Sequence, residues 1–129
     1  MTKESRKFSA HWKASRKPKK QRKYRYNAPY HIKGKFLSAH MSKELRKKYG
    51  KRSLRLRKGD KVMMISGDFK KKEGKIESVI TKKLKVYVEG IERTKKDGTK
   101  VRVPIDPSNV IITELAMDDK NRQKILERK

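Results

Sequence analysis

The chain has 129 residues, of which 40 are Lys or Arg and 14 are Asp or Glu, so its formal net charge is +26. It contains no cysteine, which excludes a disulfide framework, a cysteine-ligated zinc ribbon and a thiol nucleophile. No apolar run approaches about 18 residues, and the N-terminus lacks the apolar stretch of a secretory signal. We therefore expect a cytoplasmic protein without a membrane span.

The positive charge is concentrated at the front of the chain. Residues 1–58 carry 22 Lys or Arg and only two acids, Glu4 and Glu44, for a net charge of +20. Such a segment repels itself unless a polyanion neutralises it, and nucleic acid offers regularly spaced negative charge along an extended path. The composition therefore predicts a protein that binds nucleic acid.

Residues 1–26 are predicted to form a basic extended arm. Clusters of Lys and Arg alternate with Phe8, Trp12, Tyr24 and Tyr26, and Pro18 argues against a continuous helix. A solvated basic tail is the simpler interpretation, but it would leave four aromatic rings exposed without a partner. We favour an arm that orders on RNA, its cations neutralising phosphates and its rings stacking on unpaired bases.

Residues 27–58 are predicted to form short helices that lead into the folded domain. Asn27 can cap a first helix, with Pro29 in its first turn, and Ser42 can cap a second helix that Gly50 ends. The second helix would present an outward positive face made of Lys43, Arg46, Lys47 and Lys48.

Residues 59–112 are predicted to fold as a small closed β-barrel. Leu84, Val86 and Val88 alternate strictly with polar residues, which is typical of a half-buried strand, and Asp97-Gly98 marks a hairpin tip. About five short strands separated by turns favour a mostly β fold. Residues 113–129 would form a tail with a short helix, capped by one of the two adjacent Asp residues at 118 and 119.

The sequence offers no catalytic or metal-binding pattern. The histidines His11, His31 and His40 do not have metal-ligand spacing, and the acids occur mostly singly among lysines. A Gly-rich nucleotide-binding loop is absent as well. We therefore predict neither an enzyme nor a cofactor, and we expect the histidines to contact phosphate or to pack.

The most informative motif is GDKV at 59–62 followed by GDFKKKEGKI at 67–76. Gly67 and Gly74 permit backbone conformations that side chains forbid, and the loop between them displays Lys70, Lys71 and Lys72. A hairpin at 93–100 forms a second basic tip. Both could be ordinary solvated turns, but a basic loop on a rigid scaffold is suited to phosphate contact.

This motif resembles the KOW element, a strand–loop–strand unit of SH3-like barrels in ribosomal proteins and transcription elongation factors. Residues 27–32, 42–46 and 107–110 are also similar to the flanks found in one family, the KOW-domain large-subunit ribosomal proteins. That family is numbered twenty-four in archaea and bacteria and twenty-six in eukaryotes. The likeness, to the archaeal and eukaryotic form, runs from about residue 16 to residue 129. Lys71 stands where glycine is commonest in the motif.

The resemblance implies a structural constituent of the large ribosomal subunit with an SH3-like barrel. It implies binding to the 5′ part of the large-subunit ribosomal RNA, action early in assembly, and a place near the polypeptide exit tunnel beside other ribosomal proteins. We do not expect homo-oligomers. Two alternatives stay open: a KOW-type elongation factor that binds RNA or polymerase, and a DNA-compacting protein. The first is weakened because a charged arm, not a globular domain, precedes the barrel.

The predicted RNA contacts are drawn from every basic segment of the chain. In the arm they are Arg6, Lys7, Trp12, Lys13, Arg16, Lys17, Lys19, Lys20, Arg22, Lys23 and Arg25. In the helical segment they are His31, Lys33, Lys35, Lys43, Arg46 and Lys47. In the barrel they are Lys70, Lys71, Lys72, Lys75, Arg93, Lys95 and Lys96.

Overall fold

The computed structural model describes residues 8–128, which form four short helices and eight short strands. The helices are α1 (Pro18–Asn27), α2 (Tyr30–Phe36), α3 (Lys43–Tyr49) and α4 (Lys120–Glu127). The strands are β1 (Ser38–Met41), β2 (Ser53–Arg55), β3 (Lys61–Met64), β4 (Glu73–Ile80), β5 (Lys85–Val88), β6 (Glu92–Thr94), β7 (Lys100–Arg102) and β8 (Val110–Glu114). Single 3-10 turns lie at Ala10–Ala14 and Pro107–Asn109.

Six of these strands form one sheet in the order β2-β1-β8-β3-β4-β5, and β6 pairs with β7 in a separate hairpin. The mostly β, barrel-like fold predicted from the sequence is confirmed. The prediction of full closure is wrong, because β2 and β5 remain the two ends of the sheet. The segment around Ile105 pairs with the outer edge of β5 instead. Val86 and Ile105 exchange two backbone hydrogen bonds, at 2.9 and 3.0 Å.

Alternate side chains of the strands point into a single core. In β1, β3 and β5 burial alternates strictly along the strand, as the period of two requires. Fully burying one aliphatic side chain is worth about 1.5–3 kcal/mol relative to leaving it exposed. The most deeply buried aliphatic members of the core are Leu37, Ala39, Met41, Val62, Ile76, Val86, Ile91, Val110 and Ile112.

Two strands of the sheet come from the segment that was expected to be helical. Between α2 and α3 the chain forms β1, and after α3 it forms β2, which pairs antiparallel with β1. Leu37, Ala39 and Met41 are each at most 1% exposed. Their spacing of two is the pattern of a half-buried strand, and the prediction of short helices for residues 27–58 is incomplete because it omits β1 and β2.

Helix α1 replaces the second half of the predicted extended arm. Pro18 is the first residue of α1. A backbone N–H in the first turn has no partner within the helix, so the lack of one in proline costs nothing there, and the fixed φ of proline suits the helix. No helix continues through Pro18, as predicted, but the same residue begins α1, which the prediction of an extended arm did not include. Asn27 ends α1, whereas Pro29 precedes α2, so the prediction that Asn27 caps α2 is wrong.

The predicted ends of α3 and α4 are confirmed. The Ser42 hydroxyl accepts from the backbone N–H of Leu45 at 3.3 Å, and Gly50 ends α3 in the left-handed conformation with φ of +64°. Of the two candidate caps of α4, Asp119 is the one whose carboxylate accepts from the N–H of Asn121, at 2.8 Å.

Candidate RNA-binding surface

The 3-10 turn at Ala10–Ala14 is fastened to α1 by one side chain. The amide of Gln21 donates to the backbone carbonyls of Trp12, Lys13 and Ser15, at 3.1, 3.0 and 2.6 Å. The indole of Trp12 is half-buried, with the Nζ of Lys23 lying 5.9 Å from its ring centroid. The described part of the arm is thus a folded unit in which the backbone of the basic segment is held in a defined conformation.

The aromatic residues of the arm do not share one role. Tyr24 is only 7% exposed, stacks on Phe8 with ring centroids 5.3 Å apart and meets Phe36 edge-on at 5.7 Å. The interpretation that all four arm aromatics stack on RNA bases is therefore wrong for Tyr24, which anchors α1 to α2. Tyr26, in contrast, is 82% exposed.

The front of the chain presents cations that no carboxylate neutralises. Residues 5–43 contain no Asp or Glu, and among residues 8–128 every ion pair uses a cation at position 57 or later. Lys33 is half-buried. The exposed members of the predicted set in this region are Lys13, Arg16, Lys17, Lys19, Lys20, Arg22, Lys23, Arg25, His31 and Lys35. Arg6 and Lys7 lie outside the described residues.

Helix α3 extends this basic surface, with one exception. Lys43 and Lys47 are exposed, as predicted. Arg46 is half-buried, and its Nε donates to the backbone carbonyl of Met41 at 2.7 Å. The prediction that Arg46 faces fully outward is therefore wrong, because this contact ties α3 to the end of β1.

The loop between β3 and β4 is held in shape by its own backbone. The N–H of Lys71 donates to the carbonyl of Met64 at 2.9 Å, and the N–H of Lys72 donates to the carbonyl of Phe69 at 3.0 Å. The Nζ of Lys72 lies 5.3 Å from the Phe69 ring centroid, a cation–π distance. Lys70, Lys71 and Lys72 are exposed on this rigid loop, and Lys75 is exposed on β4.

The two glycines of this motif act in different ways. Gly67 has φ of +87°, the left-handed region predicted for it. Gly74 is needed for space instead: a Cβ there would lie 2.5 Å from the carbonyl oxygen of Glu89 on the neighbouring chain segment. Lys71, at the position where glycine is commonest in the motif, has φ of +68° and so adopts the backbone that glycine favours.

The base of the β6–β7 hairpin lies beside the β3–β4 loop. Arg93 of β6 forms an ion pair with Asp68 of the β3–β4 loop. A cleft of about 220 Å³ separates the loop from the segment after the β6–β7 hairpin. Lys95 and Lys96 are exposed at the hairpin tip. There Asp97 accepts from the hydroxyl of Thr99 at 2.7 Å, which lowers the pKa of that carboxyl.

A buried ion pair was missed by the sequence analysis. Asp60 and Arg122 are 0% and 2% exposed, and they join the motif before β3 to helix α4. Asp60 also accepts from the backbone N–H groups of Arg57, at 2.9 Å, and Ala116, at 3.0 Å. The sequence carries no signal for this pair, because the two residues lie far apart and each has many charged neighbours.

Residues 8–128 contain neither a cluster of metal-binding side chains nor a membrane-spanning helix. No three His, Cys, Asp or Glu side chains in this range come together in a way that could hold a metal ion. Likewise, none of the helices formed by these residues has the length and apolar character needed to cross a bilayer.

Comparison with known proteins identifies the family. Residues 15–129 match the family model that describes ribosomal protein L26 of eukaryotes and its archaeal L24 counterpart. The chain is 52% identical over 115 residues to large ribosomal subunit protein uL24 of Korarchaeum cryptofilum, covering 89% of this chain and 88% of that one. It is 49% and 51% identical, each over 112 residues, to the uL24 proteins of Methanospirillum hungatei and Methanoculleus marisnigri. Both matches cover 87% of this chain and 93% of the relative. The chain therefore belongs to this eukaryotic L26 and archaeal L24 family of large-subunit ribosomal proteins, which are structural and not enzymatic.

Proposed function

We propose that the protein binds large-subunit ribosomal RNA directly, through the unpaired cations of residues 8–47 and through the adjoining loop and hairpin at 67–72 and 93–100. One observation carries this proposal. Between positions 5 and 43 the chain has no acid, and the cations of residues 8–43 form no ion pair with any other residue in the range 8–128. Phosphates are the partners that this surface lacks, and neutralising them releases counterions.

The scaffold supports phosphate contact by shape. Gln21 holds the front turn on α1, and the β3–β4 loop is braced by backbone hydrogen bonds and by the Asp68–Arg93 pair. Cations fixed in position recognise the shape of folded RNA with a smaller loss of conformational entropy than freely moving ones.

The finer parts of the proposal come from the family resemblance and from charge. They are binding to the 5′ part of the RNA, action early in assembly, a place near the exit tunnel beside other ribosomal proteins, and residence in cytoplasmic ribosomes. We also propose that residues 1–58 bind RNA, that residues 59–112 form most of the core and that residues 113–129 close the domain. A net charge of +26 disfavours self-association, which supports a single copy per particle.

The two alternative functions have less support. An elongation factor or a DNA-compacting protein would also use a basic surface. The family match over residues 15–129, and relatives that carry the name of a large-subunit protein, favour the ribosomal role.

Cosedimentation with ribosomal subunits tests the proposal. The protein should migrate with large subunits in a sucrose gradient at physiological salt and should be released by nuclease. With about 6–10 phosphate contacts, affinity for the RNA should fall by about 10³–10⁵ between about 50 and 200 mM salt. Absence from large subunits, or equal affinity for generic duplex DNA in competition, would contradict the proposal.

A pair of matched variants tests the contribution of the loop. Lys70→Ala with Lys72→Ala removes two charges from the β3–β4 loop. Lys82→Ala with Lys83→Ala removes two exposed charges from the turn at the other end of β4. The first variant should weaken RNA binding and reduce its salt dependence, and the second should bind as the native chain does. Equal effects would show that net charge alone, and not the loop, determines affinity.

A further inference from the structure

Two aromatic rings stand out from the surface around the α1–α2 junction. Tyr26, one residue from the end of α1, is 82% exposed, and Tyr30, the first residue of α2, is 67% exposed. Among residues 8–128 they are the most exposed large hydrophobic side chains. Tyr24, two positions from Tyr26, is buried, so the exposure of Tyr26 does not come from a generally loose helix.

The surroundings of Tyr26 are cationic. Lys19, Arg22 and Tyr26 follow one another at helical spacings of three and four, so they share one face of α1, and that face lies opposite Tyr24. Lys19 and Arg22 are both exposed, and neither forms an ion pair with another residue in the range 8–128. The face therefore combines a free π surface with positive charge and contains no carboxylate.

We propose that this face of α1, together with Tyr30, binds unpaired nucleotides of RNA. The rings of Tyr26 and Tyr30 stack on bases, while Lys19 and Arg22 contact the flanking phosphates. A base within a duplex has its faces covered by its neighbours, so a stacking ring selects single-stranded loops, bulges or ends. This inference rests on the proposed function, to which it adds the kind of RNA and the residues that recognise it.

The chemistry favours RNA over a protein as the occupant. An apolar protein surface would have to desolvate Lys19 and Arg22 without pairing them, which is unfavourable. A nucleotide supplies an aromatic face and an adjacent anion in one ligand, and so matches both features of this surface.

Binding of the full-length chain to two labelled RNAs, followed by fluorescence anisotropy, tests the inference. One probe is a single-stranded oligouridylate of about 10 nucleotides, within the site sizes seen for single-strand binding surfaces. The other is an RNA duplex of similar length. Tyr26→Ala should weaken single-strand binding by about 5- to 150-fold, the range seen when one base-stacking ring is removed. Binding to the duplex should not change.

Two further variants separate stacking from charge. Tyr26→Phe keeps the ring and should bind as the native chain does. Tyr26→Ala should leave the slope of log affinity against log salt unchanged because no charge is lost, whereas Arg22→Ala should make that slope shallower by about 0.7. Thermal unfolding of each variant is the check on folding, and Tyr30→Ala tests the second ring independently of α1.

The inference is overturned if Tyr26→Ala and Tyr30→Ala both bind the single strand as the native chain does, which would leave the rings to a protein neighbour. It is also overturned if Tyr26→Ala weakens both RNAs equally. In either case the native chain would still cosediment with large subunits and bind RNA in a salt-dependent way. Failure of this inference is therefore distinct from failure of the proposed function.

Discussion

Arg122 and Asp60 form a two-point ion pair in the interior of the protein. The Nη1 atom of Arg122 lies 2.6 Å from Oδ1 of Asp60, and its Nη2 atom lies 2.7 Å from Oδ2. Arg122 also donates to the backbone carbonyl of Ala116 at 3.0 Å. This pair ties α4 to the turn that begins β3, so it joins the C-terminal segment to the sheet.

Asp60→Asn should lower the free energy of unfolding by about 3–5 kcal/mol, because it leaves the buried guanidinium of Arg122 without a counter-charge. Denaturant unfolding at neutral pH measures the loss. Asp106→Asn is the matched control, since the Lys85–Asp106 pair is about one-third exposed on each side and should contribute less than about 1 kcal/mol. If Asp60→Asn and Asp106→Asn lowered the free energy of unfolding by similar amounts, the prediction that the buried pair contributes more than the exposed pair would be wrong.

Gly74→Ala should destabilise the sheet by about 1–3 kcal/mol, as overpacking does, because the new Cβ would lie 2.5 Å from the carbonyl oxygen of Glu89. Thermal unfolding measures the effect. Gly34→Ala is an informative control. Its Cβ would lie 2.8 Å from the guanidinium of Arg55, the far end of a flexible side chain that can move away. Gly34→Ala should be neutral or stabilising, since alanine favours the helix.

Lys71→Gly should raise the free energy of unfolding by up to about 1 kcal/mol, because φ of +68° is costly for a residue with a side chain. The greater entropy of glycine in the unfolded chain offsets part of the gain. Lys70→Gly removes the same charge at a neighbouring position without a positive φ and should destabilise. If the Lys70→Gly variant were more stable than the Lys71→Gly variant, the observed loop conformation would be contradicted.

Deleting residues 1–26 should leave cooperative unfolding intact while weakening RNA binding. Among residues 8–128 the core cluster begins at Leu37, and the half-buried Phe36 packs against it. Removing Tyr24 exposes one edge of Phe36, so we expect a loss of no more than about 2 kcal/mol, the order of one aromatic contact. Circular dichroism during heating is the measurement, and a broad, non-cooperative transition would contradict this division of the chain.

The stability contributed by Asp119 should depend on pH. Its pKa lies below the ordinary value of 3.8, because the N–H of Asn121 donates to the carboxylate and the Arg57 guanidinium lies beside it. The folded pKa is the lower one, so the contribution is present above the ordinary pKa and is lost as pH falls through the folded value. Asp119→Asn should therefore lower the melting temperature at neutral pH. The difference from the native chain should disappear in strong acid, and a difference that persists there would contradict the assignment.

Local signals predicted the parts of the fold that depend on neighbouring residues. Ser42 caps the start of α3 and Gly50 caps its end, as predicted, and the buried Val86 and Val88 alternate with less buried residues in β5. These features could be predicted because caps and strand periodicity depend on residues only a few positions apart. Pro18 was correctly taken to interrupt a helix, but α1 was missed because the same ring that breaks a helix interior is well suited to its start.

Longer-range features of the site could not be read from the chain. The sequence gives no sign that Asp68 pairs with Arg93 and so joins the β3–β4 loop to the base of the β6–β7 hairpin. Asp60 likewise resembles the many exposed acids. The basic character of the front of the chain could be predicted because net charge depends only on composition and not on the fold. The burial of Tyr24 and the partial burial of Arg46 could not be predicted, because both depend on contacts that form only in the tertiary structure.

The position of β8 imposes an order on folding. This last strand lies between β1 and β3, pairing parallel with one and antiparallel with the other. A growing polypeptide released only as far as residue 109 would lack the strand whose backbone hydrogen bonds join β1 to β3. The six-stranded sheet can therefore be completed only when nearly the whole chain has been synthesised.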